Sequence, residues 1–177
     1  MSLSIITTAI PAHFSPQSRV WIYAANRTLT EQESNLATER MKAFVSSWTA
    51  HGAPVQGIGI VLLNRFLVLV ADETLTHVSG CSTDSSVRMM QALQEELSID
   101  LFNRTLLSFY HNDQVFSLPI AELSTAIAEG KINGDTLFFD HVVGTRQAFE
   151  SGWLQPARKS WLVNRFPALQ EKAIGYS

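Results

Sequence analysis

Cys81 is the single cysteine of this 177-residue chain, and it stands in the stretch Ser79-Gly80-Cys81-Ser82-Thr83-Asp84. Small residues precede it, and N-cap or turn formers follow before an apolar helical pattern starts at Val87. A thiol beside a helix N-terminus meets unpaired backbone N–H groups that favour the thiolate, its nucleophilic form. A nearby histidine can take the thiol proton, and a further group can orient that histidine. His51 is the candidate base, with Asp72 or His111 as the orienting group. Asp84, one turn into the helix, opposes a negative thiolate. The structural reading stands beside this one: cysteine is a good small buried residue, and Ser82, Thr83 and Asp84 read equally well as helix caps.

A second set of residues could bind charge. Asn-Arg occurs four times, at 26–27, 64–65, 103–104 and 164–165. The first three fall in turns between elements. Arg27, Arg65 and Arg104 would sit at one end of a sheet, where three guanidinium groups could hold a phosphate or carboxylate. The structural alternative is that asparagine makes each turn and the arginine beside it is solvated.

The elements that would position these groups follow from periodicity. Residues 19–25 (RVWIYAA) read as a strand of β-branched and aromatic residues. Thr30 and Glu33 form a capping box for a helix with Ala37, Met41, Phe44, Val45 and Trp48 on one face, ending at Gly52. Two strands flank Asn64-Arg65 as a hairpin, and Val87, Met90, Leu93 and Leu97 mark a second helix. A strand at 104–111 closes the series and continues into a hairpin across Asn112-Asp113.

The order β-α-β-β-α-β predicts an α+β fold, ferredoxin-like, with a four-stranded antiparallel sheet and both helices on one face. An N-terminal arm (1–16) precedes this core (17–118), and an aromatic-rich α/β extension (119–177) packs on it as part of one structural unit. That layout puts His51, Asp72, Cys81 and His111 at one end of the sheet. Strands 20–23 and 66–71 are apolar at every position, which predicts burial on both faces. Phe149, Trp153, Trp161 and Phe166 are the expected cover for the second face, with a homodimer partner as the alternative. Gly57 and Gly59, on one face of one strand, leave room for a ring or backbone to approach.

Composition narrows the function. A formal net charge of −3 argues against a nucleic-acid binder, which needs a basic face. Apolar runs are too short to span a bilayer, and the apolar N-terminus lacks a basic region before Arg19, so the expectation is a cytoplasmic protein without a signal peptide. The five histidines lack metal-ligand spacing, and Gly130-Lys131 is followed by Ile132, so there is no phosphate-binding loop. No metal and no cofactor are expected.

The segments RVWIY, FVSSWTAHG, SGCSTDSSV, IDLFNR, DTLFFDHVVGT and GWLQPARKSW together resemble a family of bacterial proteins often labelled "ABC transporter ATPase". The label implies nucleotide hydrolysis, but this sequence has neither the Walker A loop nor the Leu-Ser-Gly-Gly-Gln signature, so the chain is not expected to be an ATPase. The stretch LPIAELSTAIAEGKINGDTLFFD is similar to the helix-and-strand core of GYF-type modules, which implies binding of proline-rich peptides. The usual Gly-Pro pair and closely spaced Trp of those modules are missing. The expectation is a small cytosolic binding or accessory protein, non-catalytic, that takes a protein partner or a small anionic ligand. The alternative is a cysteine-dependent hydrolase or acyl-transfer enzyme using Cys81 and His51.

Overall fold

The computed structural model describes residue 6 and residues 8–170; most of the first half of the expected N-terminal arm lies outside them. The chain is α+β with antiparallel sheets and divides into two compact units. The first comprises residues 1–103 and 143–151, the second 104–142 and 152–177. The division therefore falls at Asn103/Arg104 and not at 118/119, and residues 143–151 return to the first unit. No helix among the described residues is long and apolar enough to cross a membrane.

In the first unit, β1 (Arg19–Ala24), β4 (Gln56–Leu62) and β5 (Phe66–Asp72) form an antiparallel sheet in the order β1-β5-β4. Helix α1 (Glu31–Ser46) starts at the expected capping box, in which Thr30 and Glu33 exchange side-chain and backbone hydrogen bonds. It ends six residues before Gly52. Ser46, Ser47 and Thr49 are weaker helix formers than Ala or Leu. The chain instead makes a small hairpin from β2 (Thr49–Ala50) and β3 (Ala53–Pro54). His51 and Gly52 form its two-residue turn with φ of 51° and 79°, the left-handed values such a turn requires. Gly52 thus bends the chain as expected, but within a hairpin.

Helix α2 (Gly80–Leu97) is capped by Ser79, which bonds reciprocally with Ser82. Cys81 therefore lies inside the first turn and not ahead of it. Met90, Leu93 and Leu97 join Met41, Trp48, Leu67, Leu69 and Ala71 in the core between helices and sheet. Gly59 lets α1 close on β4: a Cβ there would overlap Met41 Cβ. At Gly57, the Trp48 ring would be 3.2 Å from the same added atom.

β5 is buried at all seven positions, as its unbroken apolar sequence requires. β1 is only half-buried, because it lies at the sheet edge. On that edge Arg19 bridges to Thr145 and Val20 N donates to Gly144 O, so the returning segment occupies the flank where a fourth ferredoxin-like strand would sit. The expected fourth strand, β6 (Leu106–His111), belongs to the other sheet. Its partner β7 (Gln114–Pro119) is two residues away, across Asn112 and Asp113 at φ 48° and 59°. The other edge of β6 pairs with Leu137 and Phe138, which leaves no edge for β1.

The second unit is built on a sheet in the order β7-β6-β8-β9, with β8 at Leu137–Phe139 and β9 at Leu154–Pro156. Helix α3 (Leu123–Ala128) follows a 3₁₀ turn at Ile120–Glu122, and Gly130 ends it at φ 71°. Leu107, Phe109, Leu123, Ile132 and Phe138 form its core, with Trp161 and Phe166 packed against them. Of the four aromatic residues expected to cover the first sheet, only Phe149 belongs to the first unit, in α4 (Arg146–Gly152). Trp153, Trp161 and Phe166 serve the second unit, where Trp153 packs on Phe139 at 4.9 Å between ring centroids.

Candidate functional site

The end of α1, the β2–β3 hairpin and the first turn of α2 enclose an open groove of about 590 Å³. Phe44, Ser47, Trp48, Thr49, His51, Ser79, Cys81, Ser82 and Ser85 line it. The structure thus brings His51 and Cys81 to one surface feature, as the sequence reading expected. Trp48 fixes the walls: its indole Nε1 donates to Ser82 O at 3.0 Å, and its backbone O accepts from Val55 N at 2.9 Å. Phe44 packs against the same indole, 5.1 Å between centroids.

Three of the groove's hydroxyls donate to backbone carbonyls. Ser82 Oγ donates to Ser79 O, Ser85 Oγ to Ser82 O, and Ser47 Oγ to the carbonyl oxygens at the end of α1. These bonds fix the loop ends, and Ser82 Oγ also accepts from Ser79 N. Cys81 is exposed, in the first turn of an 18-residue helix, where the helix dipole favours negative charge. His51 is exposed on its turn. Among the described residues, no hydrogen bond joins Cys81 to His51.

Of the two expected orienting groups, Asp72 is engaged elsewhere. Asp72 is buried, and its carboxylate accepts from Ser15 N at 2.8 Å and from Thr74 N at 3.0 Å and Thr74 Oγ1. Burial pushes its pKa up, but these hydrogen bonds outweigh burial and hold it below the usual carboxylate value. Asp72 thus fastens the N-terminal segment to the end of β5 instead of orienting His51. His111 closes β6 in the second unit, opposite Gln114. Asp84 is exposed on α2.

Within the first unit, Arg27 and Arg65 are engaged separately. Arg27 makes a two-pronged pair with Glu33, at 2.8 and 2.7 Å, and donates to Leu97 O. That pair holds the Glu33 carboxyl down to about 2. Arg65 is buried and reaches Thr28 Oγ1 and Asn26 O. Arg104 belongs to the second unit. The repeated Asn-Arg pairs are joints: Asn26 Oδ1 accepts from Asp100 N, and Asn64 Oδ1 accepts from Ser34 Oγ.

Two features went unread in the sequence. One is the serine lining of the groove, signalled only by Ser79 and Ser82 at capping-box spacing. The other is a buried polar group in the second unit. Trp153 Nε1 donates to His141 Nδ1 at 3.1 Å, and Asp140 accepts from Gln155 Nε2 and Val142 N. Burial lowers the His141 pKa to about 4 and raises that of Asp140. Among the described residues, no group of three His, Cys, Asp or Glu side chains is close enough to hold a metal ion. Comparison with family models, with curated proteins and with solved structures finds no match for this chain.

Proposed function

We propose that this chain is a binding or accessory protein of the cytoplasm, and that the groove between Phe44, Trp48 and Cys81 is its contact surface. The observation that carries this reading is the Trp48–Ser82 hydrogen bond, which pins the groove's two helical walls together before anything binds. A preformed site avoids ordering costs on binding. Phe44 supplies an apolar wall, and the Gly80 and Cys81 amides at the start of α2 suit a negative or hydrogen-bond-accepting group, those of Ser82 and Thr83 being bonded to Ser79. The occupant is a small ligand, or a partner segment, with an apolar part and a carboxylate or similar acceptor. The test is a fragment screen by amide and indole NMR that includes aromatic carboxylates. Shifts gathered at Gly80, Cys81 and the Trp48 indole support the reading; fragments that bind elsewhere, or not at all, overturn it.

A second reading is thiol chemistry, with Cys81 as nucleophile and His51 as base. It is favoured by their presence in one groove, both exposed. It requires the two side chains to meet. With one cysteine in the chain, alkylation by iodoacetamide reports on Cys81 alone. His51→Ala slows that reaction severalfold at neutral pH if His51 activates the thiol. An unchanged rate rejects the pair.

A further inference from the structure

The two edges of the first unit's sheet are treated differently. The chain covers the β1 edge with residues 144–146. Just before β4, Val55 N donates to Trp48 O, and beyond that point no strand among the described residues pairs with the β4 edge. The hydrogen-bond parity shows which groups are left over. Ala25 N donates to Arg65 O, so the odd-numbered residues of β5 bond to β1 and the even-numbered ones to β4. In β4, the even-numbered residues therefore bond to β5, while the N–H and C=O groups of Gly57, Gly59 and Val61 point outward. Among the described residues no backbone partner meets them.

Unpaired edges are normally blunted by charge, proline or a bulge. β4 has none of these: it reads Gln-Gly-Ile-Gly-Ile-Val-Leu and pairs with β5 in unbroken register. Its sequence is also close to its own complement. Run antiparallel to a second copy about Gly59, it sets Ile58 opposite Ile60 of the other chain and Gly57 opposite Val61, and no charges meet. Gly57, Ile58, Ile60 and Val61 are half-buried, leaving surface for a neighbour, whereas Gly59 itself is covered on its helix side by Met41.

We propose that two copies of this chain join edge to edge through β4, antiparallel, into one six-stranded sheet. The backbone groups of residues 57, 59 and 61 supply the hydrogen bonds, and the paired isoleucines supply apolar contact.

Sedimentation velocity on the full chain tests this. The expected species has twice the 19.7 kDa mass of one chain. Val61→Pro removes an outward N–H without touching the β5 ladder, so it weakens association at least tenfold with unchanged helix content by circular dichroism. Because that variant can also disturb packing, a charge swap gives an independent reading. Ile58→Lys with Ile60→Lys sets like charges opposite each other and yields monomer. Mixing it with the corresponding double Glu variant restores a dimer of one copy of each. A wild-type chain that stays monomeric at hundreds of micromolar overturns the proposal, as does a dimer that ignores the lysines.

Discussion

The indole of Trp48 donates to the carbonyl oxygen of Ser82, 34 residues away in sequence, at 3.0 Å in a buried setting. This bond crosses from the segment after α1 to the first turn of α2, and both walls of the groove depend on it. Trp48→Phe keeps most of the ring but loses the donor. The expected cost is about 1 to 2 kcal/mol, softened because Ser82 O also accepts from Ser85 Oγ. Urea unfolding measures that cost. Iodoacetamide labelling of Cys81 should change in the same variant, because the turn that bears the thiol loses its anchor. A variant that is less stable but labels at the wild-type rate would separate the bond from the groove.

Gly59 is required by a close approach. The atom that would clash with an added Cβ is Met41 Cβ, part of the helix's own scaffold and not a flexible tip. Gly59→Ala should therefore destabilise by about 1 to 3 kcal/mol or more. Met41→Ala should not rescue it, because the Cβ remains. Gly80→Ala is the control. It has open space around the added atom and sits in a helix, so its melting temperature should hold or rise.

Arg65 serves the fold. Its guanidinium is buried beside Thr28 and Asn26, and burial pulls its pKa below the usual arginine value. Arg65→Ala should cost about 2 kcal/mol, chiefly through the packing that its buried side chain loses. Arg104→Ala, at an exposed position, should change stability by less than about 0.5 kcal/mol. Neither should alter binding of inorganic phosphate, measured by calorimetry. A phosphate affinity lost in both variants would revive the shared anion site.

Local signals were legible and long-range partners were not. The Thr30–Glu33 box, the turn at Asn112-Asp113 and the fully apolar β5 all follow from a few adjacent residues. The placement of β6 depends on a competition between β1 and β8 for one of its edges, and its own sequence, Leu-Leu-Ser-Phe-Tyr-His, suits either. β7 holds one edge and β8 takes the other, so the predicted fourth strand leaves the first sheet. His51 and Cys81 were rightly expected at one end because β-α-β-β-α order fixes which helix ends lie together. Asp72 was misassigned because nothing in its neighbours announces that Ser15, 57 residues earlier, would claim its carboxylate. The arginines look alike in sequence, and only their surroundings, Glu33 for Arg27 and burial for Arg65, tell them apart.

His141 makes the second unit sensitive to acid. Its Nδ1 accepts from Trp153, which assigns the proton of the neutral ring to Nε2, an atom with no contact with solvent. Burial lowers its pKa from 6.5 to about 4, so the unfolded chain binds the proton more readily than the folded one. Its favourable contribution is therefore complete above about pH 6.5 and is lost as pH falls towards 4, by at most about 3 kcal/mol. Asp140, raised by burial, works in the opposite direction, because the folded state takes up its proton first. The net slope of the wild type mixes both effects, so the informative quantity is the difference from His141→Gln. That variant should be less stable than wild type at pH 7 and lose less on going to pH 4.5, by urea midpoints at each pH. Parallel losses in the two proteins would mean that His141 is not the group that titrates.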